Sequence, residues 1–214
     1  MSPDAALIDL LGMVAYGELS AFDRMAADAR LAPDLRRRAT LSEMAAAEIA
    51  NYCRLADRLT ELGVTPETAM APYVAVLQAY HDSTEPRDWL EALTKAYVGE
   101  GVADDFIHEV ASLIREPDRQ LILDVLHDSR YDDFAADEIR AAIEADPRVA
   151  SRLSMWARRL VGEAFSQAIR VAGERVALTA LIVESTGDQA GVQALLKRLT
   201  AAHTARMANA GLNN

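Results

Sequence analysis

The chain has 214 residues, of which 51% are hydrophobic, and it carries a formal net charge of −11 at pH 7 and a single cysteine, Cys53. This length suffices to bury a substantial core, and one cysteine excludes an internal disulfide framework, as is usual for the reducing cytoplasm. The acidic balance disfavours binding to nucleic acid or anionic membranes, although arginine runs at 36–38 and 158–159 are two local exceptions.

The N-terminal residues lack the basic start and apolar run of a signal peptide, and no stretch reaches the ~20 uninterrupted apolar residues of a membrane span. We therefore expect a cytoplasmic protein without a membrane segment. Apolar residues recur every three or four positions and no strand pattern competes, so the predicted fold class is all-α. Proline precedes most helical patterns, and helices are predicted over 4–29, 34–62, 86–115, 117–145, 147–178 and 188–209. Residues 63–85 form the longest connection, with short helical turns predicted around 66–70 and 73–80.

Four acidic residues fall inside the apolar stripes of the first four predicted helices: Glu18, Glu48, Glu100 and Asp128. A bare buried carboxylate is costly, so an acid that faces inward from a helix needs a partner. The spacing repeats, because 30 residues separate Glu18 from Glu48 and 28 separate Glu100 from Asp128. This repeat predicts a helical hairpin used twice, each with two inward carboxylates.

Ferritin-like dimetal proteins have this architecture, with a Glu on two helices and a Glu-x-x-His motif on the other two. The pattern therefore predicts a ferritin-like four-helix bundle with additional fifth and C-terminal helices, in which the connection at 63–85 is the crossover. The whole chain, 1–214, is expected to form one domain, with the core bundle at about 4–145 and the extra helices at about 147–209.

The two motif histidines are replaced in this chain. Asn51 follows Glu48, and Tyr131 follows Asp128, at the positions where histidine is expected. Asparagine is a neutral, weak oxygen donor and tyrosine binds iron only as the phenolate, so neither replaces imidazole for Fe(II). The candidate metal ligands are Glu18, Glu48, Glu100 and Asp128, with Glu163, Asn51 and Tyr131 as weaker candidates. The expected cofactor is a pair of iron ions, or Mn or Mg in their place. The alternative is a site that holds no metal.

Several buried carboxylates repel each other, and three arrangements resolve the repulsion. A cation lies among them, arginines neutralise them, or the site stays wet and partly protonated. Two other pairs with ligand spacing, Asp105 with His108 and Asp124 with His127, lie at the edges of their apolar stripes and are expected to face solvent. The last helix is amphipathic and either closes the bundle or forms an interface, and a homodimer is the expected assembly.

Four stretches carry a resemblance to a known family: AYGELSAF at 15–22, MAAAE at 44–48, AYVGEG at 96–101 and RLVGEA at 159–164. Together they resemble the actinobacterial ferritin-like proteins grouped with tRNA hydroxylases, over about residues 5–178. The resemblance implies a ferritin-like bundle and a non-haem diiron site. In the characterised tRNA hydroxylases, which are distant relatives, such a site inserts oxygen into a prenylated adenosine next to the anticodon.

Two classes of function follow. The first is a metal-dependent oxidoreductase that uses the carboxylates as ligands. The second is a catalytically inactive scaffold or small-molecule-binding bundle that has lost its metal site. The missing histidines favour the second class, and the retained carboxylates favour the first, because buried acids without an ion destabilise a core. The acidic surface counts against a tRNA substrate.

Overall fold

The computed structural model describes residues 3–126, 129–187 and 189–213, and every regular element within them is helical, as predicted. The first half contains α1 (Pro3–Asp28), a 3₁₀ turn (Ala29–Leu31), α2 (Leu35–Glu61) and α3 (Pro66–Ser83). A second set comprises α4 (Trp89–Thr94), a π-helical segment (Lys95–Glu100), α5 (Gly101–Ala111), α6 (Asp118–Val125) and α7 (Ser129–Ala145). The chain ends with α8 (Arg148–Glu174), α9 (Val176–Thr186) and α10 (Gln189–Asn209).

Polar side chains start three of these helices at the points that the prolines predict. Asp34 accepts a hydrogen bond from the Arg37 amide at 2.9 Å at the start of α2. Thr65 caps α3 directly before Pro66, and Asp88 caps α4. Each cap gives an acceptor to an amide that has no partner within its helix.

The predicted loop at 63–85 is wrong in one respect, because most of it is the single helix α3. Pro72 lies inside this helix and removes one backbone hydrogen bond. Packing against α1 compensates, since α3 buries Met70, Tyr73 and Val76. The two helices approach so closely that a Cβ on Gly12 would overlap the backbone of Ala69.

Three helices predicted as continuous are interrupted. The helix predicted over 86–115 contains the π segment, in which amides bond five residues back instead of four. The helix predicted over 117–145 is divided at Leu126, whose backbone is extended. The helix predicted over 147–178 ends at Glu174, and Arg175 leaves helical geometry while its side chain forms an ion pair with Asp9 of α1. This last break thus coincides with a tertiary contact and follows Gly173 by two residues.

The core consists of two apolar clusters along the bundle. Cluster 1 joins the end of α1 and the start of α2 to α4, α7, α8 and α10; its members include Met25, Leu41, Leu93, Ile139, Leu153 and Met207. Cluster 2 joins the first half of α1 and the end of α2 to α3, α5 and α6; its members include Leu10, Val14, Leu55, Met70, Val110 and Ile122. The helices α1 and α2 therefore each contribute to both clusters, and the residues between their two contributions lie at the boundary.

The C-terminal helix α10 closes the bundle against α5 and the π segment. The guanidinium of Arg206 binds both carboxylate oxygens of Asp105, at 2.9 and 3.0 Å. Asn209 donates to the Tyr97 hydroxyl at 2.9 Å. Gly101 provides the space for Arg206, because a Cβ there would overlap the guanidinium.

One stretch, Ala5–Leu31, is long and apolar enough by composition to cross a membrane, and half of its most apolar window is buried inside the protein. Core helices of soluble proteins pass the same test, so this finding is weak evidence for a membrane helix. Asp9 and Glu18, both buried carboxylates, lie on this stretch.

Candidate site in the bundle interior

Three of the four predicted carboxylates lie at the boundary between the two apolar clusters. On α1, Glu18 lies between the buried residues of cluster 2, which precede it, and those of cluster 1, which follow it. On α2 the order is reversed, and Glu48 lies between the buried residues of cluster 1 and those of cluster 2. Both are buried, with 6% of each residue exposed, and Glu100 is half-buried at the end of the π segment. Asp128, the fourth predicted ligand, lies outside the described residues. The boundary is thus a polar layer across the bundle.

Asn51 is hydrogen-bonded to Glu18 across the two helices of the first hairpin. Its side-chain nitrogen donates to Oε2 of Glu18 at 3.2 Å and to the backbone oxygen of Val125 at 3.1 Å. Both partners are oxygen atoms, so the amide orientation is determined: the reverse orientation would place an acceptor against two acceptors. Asn51 therefore presents a donor to Glu18, and its own oxygen points elsewhere.

Tyr131 lies in the same layer on α7 and is 3% exposed. Burial raises the pKa of its phenol well above the usual value, and the negative charges of Glu100, Asp28 and Glu48 raise it further. A phenol with so high a pKa keeps its proton at neutral pH. Tyr131 is therefore a neutral hydroxyl in this site, whereas an iron ligand would need the phenolate.

A buried lysine supplies positive charge on the cluster 1 side of the layer. Lys95 is 3% exposed, and its ammonium donates to the backbone oxygen of Thr84 at 2.9 Å and lies 5.5 Å from the centroid of the Tyr80 ring. Lys95 lines a small cavity that has space for about one water molecule. The polar residues around this cavity are Arg24, Asp28, Lys95, Glu100 and Tyr131. Two cationic and two acidic side chains thus share this cavity with one phenol.

The charges around the cavity shift each other's protonation. Burial raises the pKa of the Asp28 carboxyl to about 6, although Lys95 opposes the shift. Burial also lowers the pKa of the Lys95 ammonium to about 8, and Glu100 opposes that shift. In both cases desolvation is the larger effect, as expected for a charged group held near the core. At neutral pH both groups carry their charges.

Two further buried polar side chains, Tyr80 and His81, lie near Lys95. Burial, followed by the charges of Lys95 and Arg24, lowers the pKa of His81 to about 3, so its ring is neutral. Burial also raises the pKa of Tyr80, with contributions from Glu100 and Glu163. The half-buried Glu163, a weaker predicted ligand, therefore acts electrostatically on Tyr80 from α8.

Sequence reasoning did not identify Lys95, Asp28, Arg24 or His81 as interior residues. The helical periodicity of residues 86–115 places Lys95 off the apolar stripe that passes through Leu93 and Ala96. The π segment adds a residue to the turn and changes which side chains face the core, and residues 91–99 are all buried. His81 was assigned to a loop, whereas it lies in the last turn of α3. One feature of the sequence does indicate that Lys95 is buried: no other charged residue occurs in the stretch Ala92–Gly99.

The donor set does not fit a dimetal centre of the Glu and Glu-x-x-His type. Asn51 presents nitrogen to Glu18, and Tyr131 offers a phenol where the motif has an imidazole. Within residues 3–126, 129–187 and 189–213, no three His, Cys, Asp or Glu side chains are grouped closely enough to hold a metal ion.

The Asp-x-x-His pairs and the arginine runs serve other contacts. The expectation that Asp105 faces solvent is wrong, because its side chain is only 24% exposed and binds Arg206. Asp124 is exposed and accepts from Gln120 and Arg54. His108 is exposed, and His127 lies outside the described residues. Several arginines of the basic runs bond within the chain: Arg37 to Glu138, Arg158 to the backbone of Asn213 and Arg159 to the backbone of Ser83. These arginines are drawn into intramolecular bonds instead of forming an open basic face.

Comparisons with known proteins show which family this chain belongs to. No curated protein matches this chain. The sequence does match a family described as a ferritin-like domain of actinomycetes over residues 2–185, which includes every helix from α1 to α8. This match covers most of the chain and agrees with the helical fold. The protein therefore belongs to the actinomycete ferritin-like domain family.

Proposed function

We propose that this protein is a ferritin-like bundle whose interior carboxylates are balanced by its own side chains, not by two metal ions, and that it acts as a non-catalytic scaffold or binding protein. The observation that carries the proposal is the orientation of Asn51. A metal bound by Glu18 would require an oxygen or imidazole donor from this position. The side chain instead offers Glu18 a hydrogen-bond donor.

The cationic side chains support the same proposal. Lys95 and Arg24 line a cavity with Asp28 and Glu100, so positive charge is supplied by the chain itself. Opposite charges held at close range in a poorly solvated interior stabilise the ionised carboxylates. A centre of two divalent ions placed beside a buried ammonium would have to overcome its repulsion. The charge of the layer is therefore compatible with an absence of metal ions.

The experiment that tests the proposal is elemental analysis of protein purified without a His-tag, before and after addition of Fe(II) in air. We expect substoichiometric metal and no absorption from an oxo-bridged diferric centre. The variant Asn51→His/Tyr131→His restores the motif histidines and should gain iron binding. Circular dichroism of both proteins checks that the helical fold is retained. About two irons per wild-type chain, with oxo-bridge absorption, would overturn the proposal.

A metal-dependent oxidoreductase is the second candidate, and one observation favours it. Glu18 and Glu48 are each only 6% exposed, and buried carboxylates commonly coordinate metal ions. In this alternative, Glu18, Glu48, Glu100 and Asp128 would hold Mn, Mg or two irons with oxygen ligands alone. The same elemental analysis, repeated after incubation with Mn(II) and Mg(II), separates the candidates, because the scaffold takes up none of these ions at stoichiometric levels.

A tRNA substrate, suggested by the resemblance to tRNA hydroxylases, has little support on the surface. The net charge is −11, and Arg37, Arg158 and Arg159 bond within the chain. Phosphate binding needs several available cations on one face. We expect no binding of bulk tRNA at physiological salt in a fluorescence anisotropy titration.

A further inference from the structure

One face of α8 is exposed along nearly its whole length. Seven residues form this face: Ser151, Met155, Arg158, Gly162, Ser166, Ile169 and Gly173. Met155 is 65% exposed and Ile169 is 73% exposed, which is unusual for large apolar side chains on the same side of one helix. The steps between these residues are four, three, four, four, three and four, close to the 3.6 residues of one helical turn, so the face forms a narrow seam that runs straight along the helix and can pack against another helix.

The seam is symmetric about Gly162. Met155 lies seven residues before it and Ile169 seven residues after it, and the other members stand four and eleven residues away on each side. Seven residues are about two helical turns, so all these positions share one side of the helix. An antiparallel copy of the helix, turned about an axis at Gly162, therefore meets every position with its symmetric counterpart.

We propose that two copies of this chain pair through the exposed face of α8, with the helices antiparallel and the two-fold axis at Gly162. Each Met155 then lies against Ile169 of the partner subunit, so the two most exposed apolar side chains of the seam cover each other. The contact is isologous, which is the commonest form of a homodimer interface. It does not depend on what the interior of the bundle binds.

The small residues of the seam are explained by this pairing. Glycine in a helix interior costs roughly 1 kcal/mol relative to alanine, and a contact that needs the absence of a side chain would offset this cost. A Cβ placed on Gly162 or Gly173 would meet no atom within 4 Å, so neither glycine is needed for contacts within the chain. Glycine at the axis lets the two backbones approach closely, as small residues do between packed helices.

Charge selects the antiparallel direction. In a parallel pair Arg158 would face its own copy, and like charges at that position destabilise the contact. In the antiparallel pair Arg158 faces Ser166 of the partner subunit. The Arg158 guanidinium is also drawn towards the C-terminus by its bond to the backbone oxygen of Asn213, at 3.0 Å, which leaves the seam less obstructed.

Disulfide cross-linking in the Cys53→Ser background tests the geometry, since Cys53 is an exposed thiol. Gly162→Cys should form an intermolecular disulfide, because the two copies of this position meet at the axis and a disulfide needs Cα atoms less than about 7 Å apart. Met155→Cys alone should not, because its two copies lie about 21 Å apart along the seam. The double variant Met155→Cys/Ile169→Cys should cross-link. Efficient cross-linking of Met155→Cys alone would indicate a parallel pair and overturn the arrangement.

Sedimentation equilibrium tests the interface independently. The wild type should have twice the mass of one chain, and Ile169→Asp should weaken dimerisation by about thirtyfold or more. Leu35→Asp is the matched control, because Leu35 is an 80% exposed leucine on α2, and it should leave the dimer intact. A monomeric wild type, or a dimer that survives Ile169→Asp, would refute the proposal. Loss of the dimer in Leu196→Asp alone would assign the interface to α10.

Discussion

At the scale of single residues, Gly99 shows how an absent side chain permits a buried polar group. A Cβ at this position would overlap the hydroxyl of Tyr80, a residue that is 7% exposed and packed with Trp156 and Leu160. The tyrosine ring is rigid and enclosed, so it has little room to move away. Gly99 and Tyr80 therefore form a matched pair between the π segment and α3.

Gly99→Ala should lower the free energy of unfolding by about 1–3 kcal/mol, the usual range for an overpacked core. Tyr80→Phe removes the overlapping oxygen, so Gly99→Ala/Tyr80→Phe should recover part of the loss. Urea denaturation of the two single variants and the double variant measures the recovery. Strict additivity of the two changes would mean that the clash is relieved elsewhere.

Asp28 should make stability depend on pH. Its pKa is about 6 in the folded protein against 3.8 in the unfolded chain, so between these values the folded state binds more protons. The contribution of this group is full below about pH 4 and is lost as the pH rises through 6. Relative to Asp28→Asn, the wild type should lose up to about 2 kcal/mol of stability over this interval, after allowance for partial solvent screening.

Urea denaturation at several values between pH 4 and pH 7 measures this difference. Asp23→Asn is the control, because Asp23 is exposed on the same helix. A difference between wild type and Asp28→Asn that stays constant with pH would show that Asp28 ionises normally in the folded protein.

At the scale of the helices, two ion pairs join α10 to α5, and they differ in burial. Arg206 and Asp105 are largely buried, with side chains 13% and 24% exposed, and their contact is bidentate. A double-mutant cycle with Arg206→Met and Asp105→Asn should give a coupling energy of about 1–3 kcal/mol. The pair of Arg198 with Glu109 joins the same helices but is more exposed, so its cycle should give less than about 1 kcal/mol. Equal couplings would contradict the role assigned to burial.

The helices that depend on local signals could be predicted, and those that depend on tertiary contacts could not. Capping residues and prolines fix the starts of α2 and α8, and the sequence marks both. The π segment has no comparable marker, since Lys95–Glu100 has an ordinary helical composition, and so the burial of Lys95 was not predicted. The candidate site was also predicted in part. Glu18 and Glu48 are buried, as their positions in the apolar stripes predict. Asp28 and Arg24 line the cavity with Lys95 only because the packing of the helices brings them together, which the sequence does not show.

At the scale of the whole molecule, the polar layer divides the core into two apolar clusters. Among the described interior groups, the acids Glu18, Asp28, Glu48 and Glu100 outnumber the cations Arg24 and Lys95. If no metal ion offsets this excess, removal of one negative charge should relieve repulsion. Glu48→Gln should then raise the free energy of unfolding by about 1 kcal/mol at pH 7. If a metal ion holds the layer together, the same change should lower the melting temperature and release the ion. Glu43→Gln, on the exposed side of α2, is the control for surface charge and should leave the melting temperature unchanged.

The π segment also affects where the chain between α4 and α6 can lose a residue. Its wider turns hold one residue more than a regular helix would need, so deletion of any single residue from Lys95–Glu100 would let the helix revert to regular geometry. Because the segment absorbs the extra residue, α5 would keep its orientation relative to α4 after such a deletion. A deletion within α5 ahead of Asp105 differs, because it would turn Asp105 by about 100° away from Arg206 and break their ion pair. Loss of one residue is therefore easier to accommodate in the π segment, or in the turn at residues 112–117, than inside α5.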